Sequence, residues 1–238
     1  MFQKRVTVFV GHFGSGKTEI ALNGALQLAA SGVPVTLADL DVVKPYFRSR
    51  AARAILADAG VELLAPTGAN VHADLPIIVP QIRSHLRHDR KHLILDVGGD
   101  DVGARVLGSL SDVVPLEDTE CLLVLNFRRP STPDAERALA MVREIEAVGR
   151  VPVTGLISNT HLMDETTAEV VLEGYALALE TARLTEIPLV AITVASDLAS
   201  ELSAENLVCP VIAMRRIVRP PFAQTLERRT TGPLFVVS

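Results

Sequence analysis

A chain of 238 residues with 48% hydrophobic side chains carries enough apolar material for a large core, and one domain of a large α/β class accommodates it. A formal net charge of -5 gives no general electrostatic footprint for nucleic acid, and two cysteines, Cys121 and Cys209, each inside an apolar run, exclude a disulfide framework and read as buried thiols. No run reaches the roughly 18 uncharged apolar residues of a membrane span, and the first strand comes too early for a leader, so a cytoplasmic protein is expected.

The first informative stretch, Arg5 to Thr18, passes from a short run rich in Val into Gly11-His12-Phe13-Gly14-Ser15-Gly16-Lys17-Thr18, then into helix formers over residues 19–30. The order is strand, tight loop, helix, and the loop fits G-x-x-x-x-G-K-[ST] in the context that pattern requires. Glycines at 11, 14 and 16 let the backbone, including the peptide units of His12, Phe13 and Ser15, come close to a polyphosphate with N–H groups turned inward. The helix beginning near Lys17 adds the positive end of its dipole. Lys17 reaches the outer phosphates as a point charge, and the Thr18 hydroxyl is placed to ligate Mg²⁺. A bound nucleoside triphosphate is the expectation.

After a helix stop at Ser31-Gly32, residues 33–38 form a second strand that runs into Asp39-Leu40-Asp41. At a period of two both carboxylates point to one side, at the edge where parallel strands deliver ligand-binding side chains. Direct contact with a triphosphate would be repulsive, so one carboxylate is assigned to the Mg²⁺ shell and the other to positioning the attacking water. The stretch containing Lys44, Tyr46, Phe47, Arg48, Arg50 and Arg53 reads equally as a loop closing over ligand and as a solvated helix face. A helix to about residue 59 and a strand over 61–64 follow. Turn chemistry over 66–74 precedes an amphipathic helix over 76–88, whose His85 and His88 share a face without a third ligand nearby.

The run Leu93-Ile94-Leu95-Asp96-Val97-Gly98-Gly99 has the form of the strand that lies beside a phosphate loop. Asp96 would hold the Mg²⁺ shell through water, and Gly98 would offer its N–H to the terminal phosphate. A short helix over 102–110, capped by Asp100 and Asp101, comes next. Then follow a strand over 121–125 ending at Asn126, a helix over 135–148, a strand over 153–158 ending at Asn159, a helix over 165–183 and a strand over 189–194. Short strands nearly continuous in Val, Ile and Leu, alternating with helices, predict an α/β fold: a mostly parallel central sheet with helices on both faces. Residues 1–238 read as one nucleotide-binding domain, with 200–238 as an extension of it.

Taken together, GHFGSGKT (residues 11–18), the DLD of residues 39–41, LILDVGG (residues 93–99) and the strand ending in Asn159 resemble the P-loop nucleotide-binding domains of the CobQ/CobB/MinD/ParA type. That superfamily includes the MinD/ParA ATPases, the nitrogenase iron protein and dethiobiotin synthetase-like ligases. The resemblance covers roughly residues 1–200. It implies Mg-ATP binding, with Lys17 on phosphate, Thr18 and Asp39 serving Mg²⁺, Asp41 positioning the hydrolytic water and Asn159 meeting the base. His12 stands where partition-type members carry a second lysine, so their cross-dimer lysine contact is not implied. Neither a C-terminal membrane helix nor a cysteine pair for a shared cluster is evident.

The leading expectation is Mg-dependent ATP binding with slow hydrolysis, carried by Lys17 and Asp41, in a switch acting on an unidentified protein or small-molecule partner, with a homodimer left open. An ATP-dependent ligase or kinase with His12, Lys44, Arg48 and the 66–74 loop on its substrate, a GTPase or metallochaperone, and a non-hydrolysing ATP-binding module are the alternatives. ATP is expected over GTP. A guanine site built on Asn-Lys-x-Asp needs a carboxylate where this chain has Leu162, whereas the Asn159 amide suits the adenine edge.

Overall fold

The structure is a computed structural model that describes residues 2–41, 49–65, 71–88, 90–99, 101–202 and 205–218, with the backbone alone for 49–51, 71–78 and 101. In chain order the elements are β1 (Val6–Val10), α1 (Lys17–Ala30), β2 (Val35–Leu40), α2 (Ser49–Asp58), β3 (Glu62–Leu64), α3 (Val71–His88), β4 (His92–Val97) and α4 (Asp101–Leu110). Then come β5 (Thr119–Leu125), α5 (Ala135–Gly149), β6 (Gly155–Ser158), α6 (Ala168–Thr185), β7 (Leu189–Ala195), α7 (Ala199–Leu202) and β8 (Val211–Met214). One sheet of order β3-β2-β4-β1-β5-β6-β7-β8 contains every strand, and every neighbouring pair is parallel.

Helices on both faces explain why β1, β2, β4 and β5 are buried along their whole length. Alternate residues divide between two cores. Phe9, Leu37, Ile94 and Leu122 pack with α1 and α2, while Val8, Leu95 and Leu123 pack with residues of α3 to α6. From β1 the chain crosses to β2 on one side of the sheet, and from β5 it crosses to β6 on the other. The order therefore reverses between β1 and β5, and the crevice outside the carboxyl ends of these strands is where open α/β sheets take ligands.

Several boundaries differ from the sequence reading for identifiable reasons. β2 starts two residues later than expected because Gly32 and Val33 close α1: Gly32 has φ +80°, its N–H bonds to Ala29 O, and the Val33 N–H bonds to Leu28 O. α6 starts at Ala168 because Met163–Glu165 makes a 3₁₀ turn and Thr167 caps the helix by accepting the Val170 N–H at 3.3 Å, a contact worth about 1 kcal/mol. α3 begins at Val71, so Pro76, read as a first-turn residue, lies inside the helix together with Pro80; neither has the N–H that would bond to residue i−4. α7 and β8 were not foreseen. Residues 42–48 and 66–70, with Lys44, Arg48 and most of the 66–74 loop, lie outside the described residues, as does Asp100; Arg53 is exposed on α2. Among the described residues no helix is long and apolar enough to cross a membrane.

At the amino ends of the strands a buried polar chain lies opposite the crevice. The Thr7 hydroxyl donates to Glu120 Oε1 at 2.8 Å and lies 3.0 Å from His92 Nε2, and Phe2 packs edge-on against the His92 ring. Burial, reinforced by nearby Arg5 and opposed by Asp118, lowers the His92 pKa to about 4. Because this value is below the unfolded one, the unfolded chain binds more protons between the two, and stability falls as pH drops from about 6.5 to about 4. His92→Gln, which can still hydrogen-bond Thr7, is expected to flatten that fall; urea midpoints at pH 7, 5.5 and 4.5 measure it, and an unchanged slope would assign the acid sensitivity to other groups.

Candidate functional site

The loop between β1 and α1 adopts conformations that its glycines permit. Gly11, Gly14 and Gly16 have φ of 135°, 78° and 95°, and Gly16 is the N-cap of α1 with no side-chain cap. A Cβ on Gly11 would come 2.6 Å from Val124 O, and one on Gly16 would come 2.1 Å from Asn159 Nδ2, so the loop is pressed against β5 and the end of β6. Lys17 is buried, and its Nζ donates to Gly11 O at 2.8 Å and His12 O at 3.1 Å, spanning the loop from inside. Ser15 Oγ is buried with no hydrogen-bond partner. An uncapped helix start, a buried lysine and a buried hydroxyl lacking a partner fit the anion that this loop was expected to cradle.

Thr18, Asp39 and Asp96 converge beside the loop. Asp39 follows Leu37 and Asp96 follows Ile94 at a period of two, which puts both carboxylates on the α1 face, and the two residues are register partners on β2 and β4. All three are buried and line one niche of about 10 Å³. Two carboxylates and a hydroxyl form an all-oxygen set, which suits Mg²⁺ with waters and phosphate oxygens completing its shell. Asp41 lies just past the strand, where its N–H donates to Asp39 Oδ1 at 3.0 Å. It borders Gly98: a Cβ there would sit 3.4 Å from Asp41 Cα. Gly99, rather than Gly98, is the glycine against the loop, since a Cβ on it would lie 2.5 Å from the Phe13 nitrogen.

On the other side of the loop a cavity of about 710 Å³, within the size range of small-molecule sites, runs from Gly14 and Gly16 past Asn159 and His161 to Asp197 and Arg216. Asn159 is buried beneath the loop. Its Nδ2 donates to Ser15 O at 2.7 Å and its Oδ1 accepts from the Thr193 hydroxyl at 2.9 Å. Each end of the amide thus holds a protein group and keeps one further donor or acceptor position, so Asn159 fixes the loop while it lines the cavity.

Asn126, at the end of β5, does similar work: its Oδ1 accepts the N–H groups of Arg128 and His161, and its Nδ2 reaches Gly14 O at 3.4 Å. Arg129 donates from Nε to the same Gly14 oxygen at 3.0 Å. The His161 ring accepts the Met163 N–H at Nδ1, so its neutral form carries the proton on Nε2; burial, then Arg129 and Arg216, lower its pKa to about 4. The sequence reading gave no role to Asn126, Arg129 or His161. A polar residue closing an apolar strand was the available signal for Asn126; nothing local marked Arg129.

The chain after β8 forms the remaining wall. Asn23 of α1 exchanges two hydrogen bonds with the Arg215 backbone, both 2.9 Å, and Glu19 accepts the N–H groups of Ile217 and Val218. Arg216 pairs with Asp164 at 2.7 Å across the rim.

His12 does not line the cavity. It is half-buried near Glu144 of α5 and the Ser131 backbone, its Nδ1 has no hydrogen-bond partner, and burial followed by the Lys17 charge outweighs Glu144 in lowering its pKa. Phe13 is 53% exposed at the crest of the loop. Cys121 is fully buried, with burial and then Glu146 raising its pKa to about 12, whereas Cys209 is half-buried. Among the described residues no group of three or more His, Cys, Asp or Glu side chains is placed to hold a metal ion, so a Mg²⁺ site here depends on the Thr18 hydroxyl, water and phosphate as well as the two carboxylates.

No protein-family model and no curated protein matches this sequence. Solved structures match it in fold. Cell division protein FtsY from Thermotoga maritima is 24% identical with a TM-score of 0.51, the match covering 79% of this chain and 61% of that one. Chloroplast FtsY from Physcomitrella patens is 22% identical with a TM-score of 0.53, covering 81% and 59%. The signal recognition particle receptor FtsY from Elizabethkingia anophelis, in complex with GDP, is 21% identical with a TM-score of 0.50, covering 82% and 58%. This chain matches less than two thirds of the length of each. The likeness is one of fold: an α/β sheet of parallel strands with helices on its faces.

Proposed function

We propose that this chain binds a Mg²⁺–purine nucleoside triphosphate, ATP in the first reading, and hydrolyses it slowly as a nucleotide switch of the MinD/ParA type. The observation that carries this reading is the convergence of Lys17 and the glycine loop, the Thr18–Asp39–Asp96 niche and a 710 Å³ cavity at the reversal of strand order. In this role Lys17 and the loop N–H groups hold the phosphates, while Thr18, Asp39 and Asp96 hold Mg²⁺, which when bound neutralises charge on the transferring phosphoryl group. Asp41, beside Gly98, accepts a hydrogen bond from the attacking water and orients it. The partner is a protein, a small molecule or a second copy of the chain.

ATP is the first reading because Leu162 stands where the Asn-Lys-x-Asp pattern needs a carboxylate, so guanine's N1–H and 2-amino donors gain no such partner from that position. A specific observation favours GTP as the second reading: Asp164 and Asp197 both line the base end of the cavity, and a carboxylate there accepts guanine's donors. Competition of ATP and GTP against a labelled ATP analogue is expected to show stronger displacement by ATP; equal or stronger displacement by GTP would overturn the adenine reading.

Lys17→Ala is expected to weaken nucleotide binding by on the order of a hundredfold in calorimetric titration, the size of a lost charged hydrogen bond. Circular dichroism should remain that of the parent, and parental affinity would remove Lys17 from the phosphate site. Asp41→Asn is expected to bind Mg-ATP within about twofold of the parent while phosphate release slows about 10²-fold, the scale of a lost proton acceptor. Turnover at the parent rate would exclude Asp41 as the group that orients water.

A further inference from the structure

Arg129 is placed differently from its neighbours. Arg128 pairs with Glu173 and Arg216 pairs with Asp164, but among the described residues no carboxylate is recorded against Arg129. Its one recorded side-chain bond runs from Nε to Gly14 O at 3.0 Å, which leaves its Nη donors uncommitted. The side chain lies flat on residue 14, since a Cβ built on Gly14 would be 3.1 Å from Nε, 3.4 Å from Cδ and 3.5 Å from Cζ. Glycine at 14 therefore serves the guanidinium above it as well as its own φ of +78°.

The backbone beneath the side chain is fixed. The Arg129 N–H bonds to Asn126 O at 3.1 Å, the Thr132 N–H bonds to Arg129 O at 2.9 Å, and Asn126 ties the same turn to His161. A half-buried arginine held at both its backbone and its Nε has already lost much of its rotamer freedom, so a ligand meets an oriented plane. That plane borders the large cavity, between the loop and His161, and takes no part in the Thr18–Asp39–Asp96 niche. A planar cation in this place matches the π face of a nucleobase and the ribose oxygens beside it.

We propose that Arg129 is a nucleoside-contacting residue, whose guanidinium, anchored on Gly14 O, forms the platform for the base and ribose while Lys17 serves the phosphates. This rests on the nucleotide-binding reading given above. It assigns recognition of the nucleoside half to the turn after β5, from which no residue was expected to touch ligand.

Binding of Mg-ATP, Mg-GTP and Mg-tripolyphosphate, the last lacking base and ribose, to the parent, Arg129→Ala and Arg129→Gln tests it. Glutamine keeps a planar donor for Gly14 O and removes the cation, so it serves if the alanine variant unfolds. Both nucleotides are expected to bind on the order of tenfold more weakly to Arg129→Gln, which keeps a donor for Gly14 O, with tripolyphosphate unchanged, and to lose more affinity than tripolyphosphate does in Arg129→Ala, which also removes a loop bond. Equal weakening of all three ligands would mean that Arg129 only shapes the loop and would overturn the proposal, as would unchanged nucleotide affinity. A parent that binds neither nucleotide would instead overturn the nucleotide reading itself.

Discussion

The Asn159 carboxamide lies between the glycine loop and the strands that build the far half of the cavity, and it ties Ser15 O of the loop to the Thr193 hydroxyl of β7. The loop has little hydrogen bonding of its own: between its ends the recorded backbone contact is Ser15 N–H to His12 O at 3.3 Å. Its shape is held by side chains, from outside by Asn159 on Ser15 O and by Arg129 and Asn126 on Gly14 O, and from inside by Lys17 on the Gly11 and His12 carbonyls. Leaving one buried partner of such a bond unpaired costs about 1–3 kcal/mol. A loop held in this way presents its N–H groups with little reorganisation left to do, which is the condition under which oriented dipoles act most strongly on charge.

The same view explains which parts of the site were legible in the sequence. Gly11 to Thr18 is contiguous, and its chemistry is stated by residue type alone. Asp39 and Asp96 were legible because each ends an apolar strand, and a parallel sheet brings such ends to one edge; their pairing across β2 and β4 then follows from register. The alternation of strands and helices implied the sheet but not its last edge strand, β8, which is four residues long. Arg129 and Asn126 act on Gly14 from more than a hundred residues away, and no local pattern encodes that distance. Asn159 was legible as the polar end of a strand, but its bonds to Ser15 O and the Thr193 hydroxyl were not, because they join residues far apart in the chain.

The two ends of the sheet illustrate different treatments of buried polarity. At the carboxyl ends Asp39 and Asp96 face each other across neighbouring strands, an arrangement that a divalent cation relieves electrostatically. At the amino ends Thr7, Glu120 and His92 satisfy one another, with the histidine kept neutral by burial. The second arrangement is satisfied within the protein, and the first would gain binding energy from a divalent cation in the role proposed for it.

The segment after β8 is attached to α1 by side chains that imitate a neighbouring strand. Asn23 offers a donor and an acceptor to the backbone of one residue, Arg215, and Glu19, one helical turn earlier, accepts the N–H groups of Ile217 and Val218. Such a splice has a register, as a strand pairing does. Inserting or deleting one residue between Met214 and Arg215 would turn the backbone groups of that unit away from Asn23 and carry Arg216 off the rim it shares with Asp164. Length variation is ordinarily tolerated in surface connections, but here it would cost the four hydrogen bonds that join α1, the helix that starts at the loop, to the chain leaving the sheet.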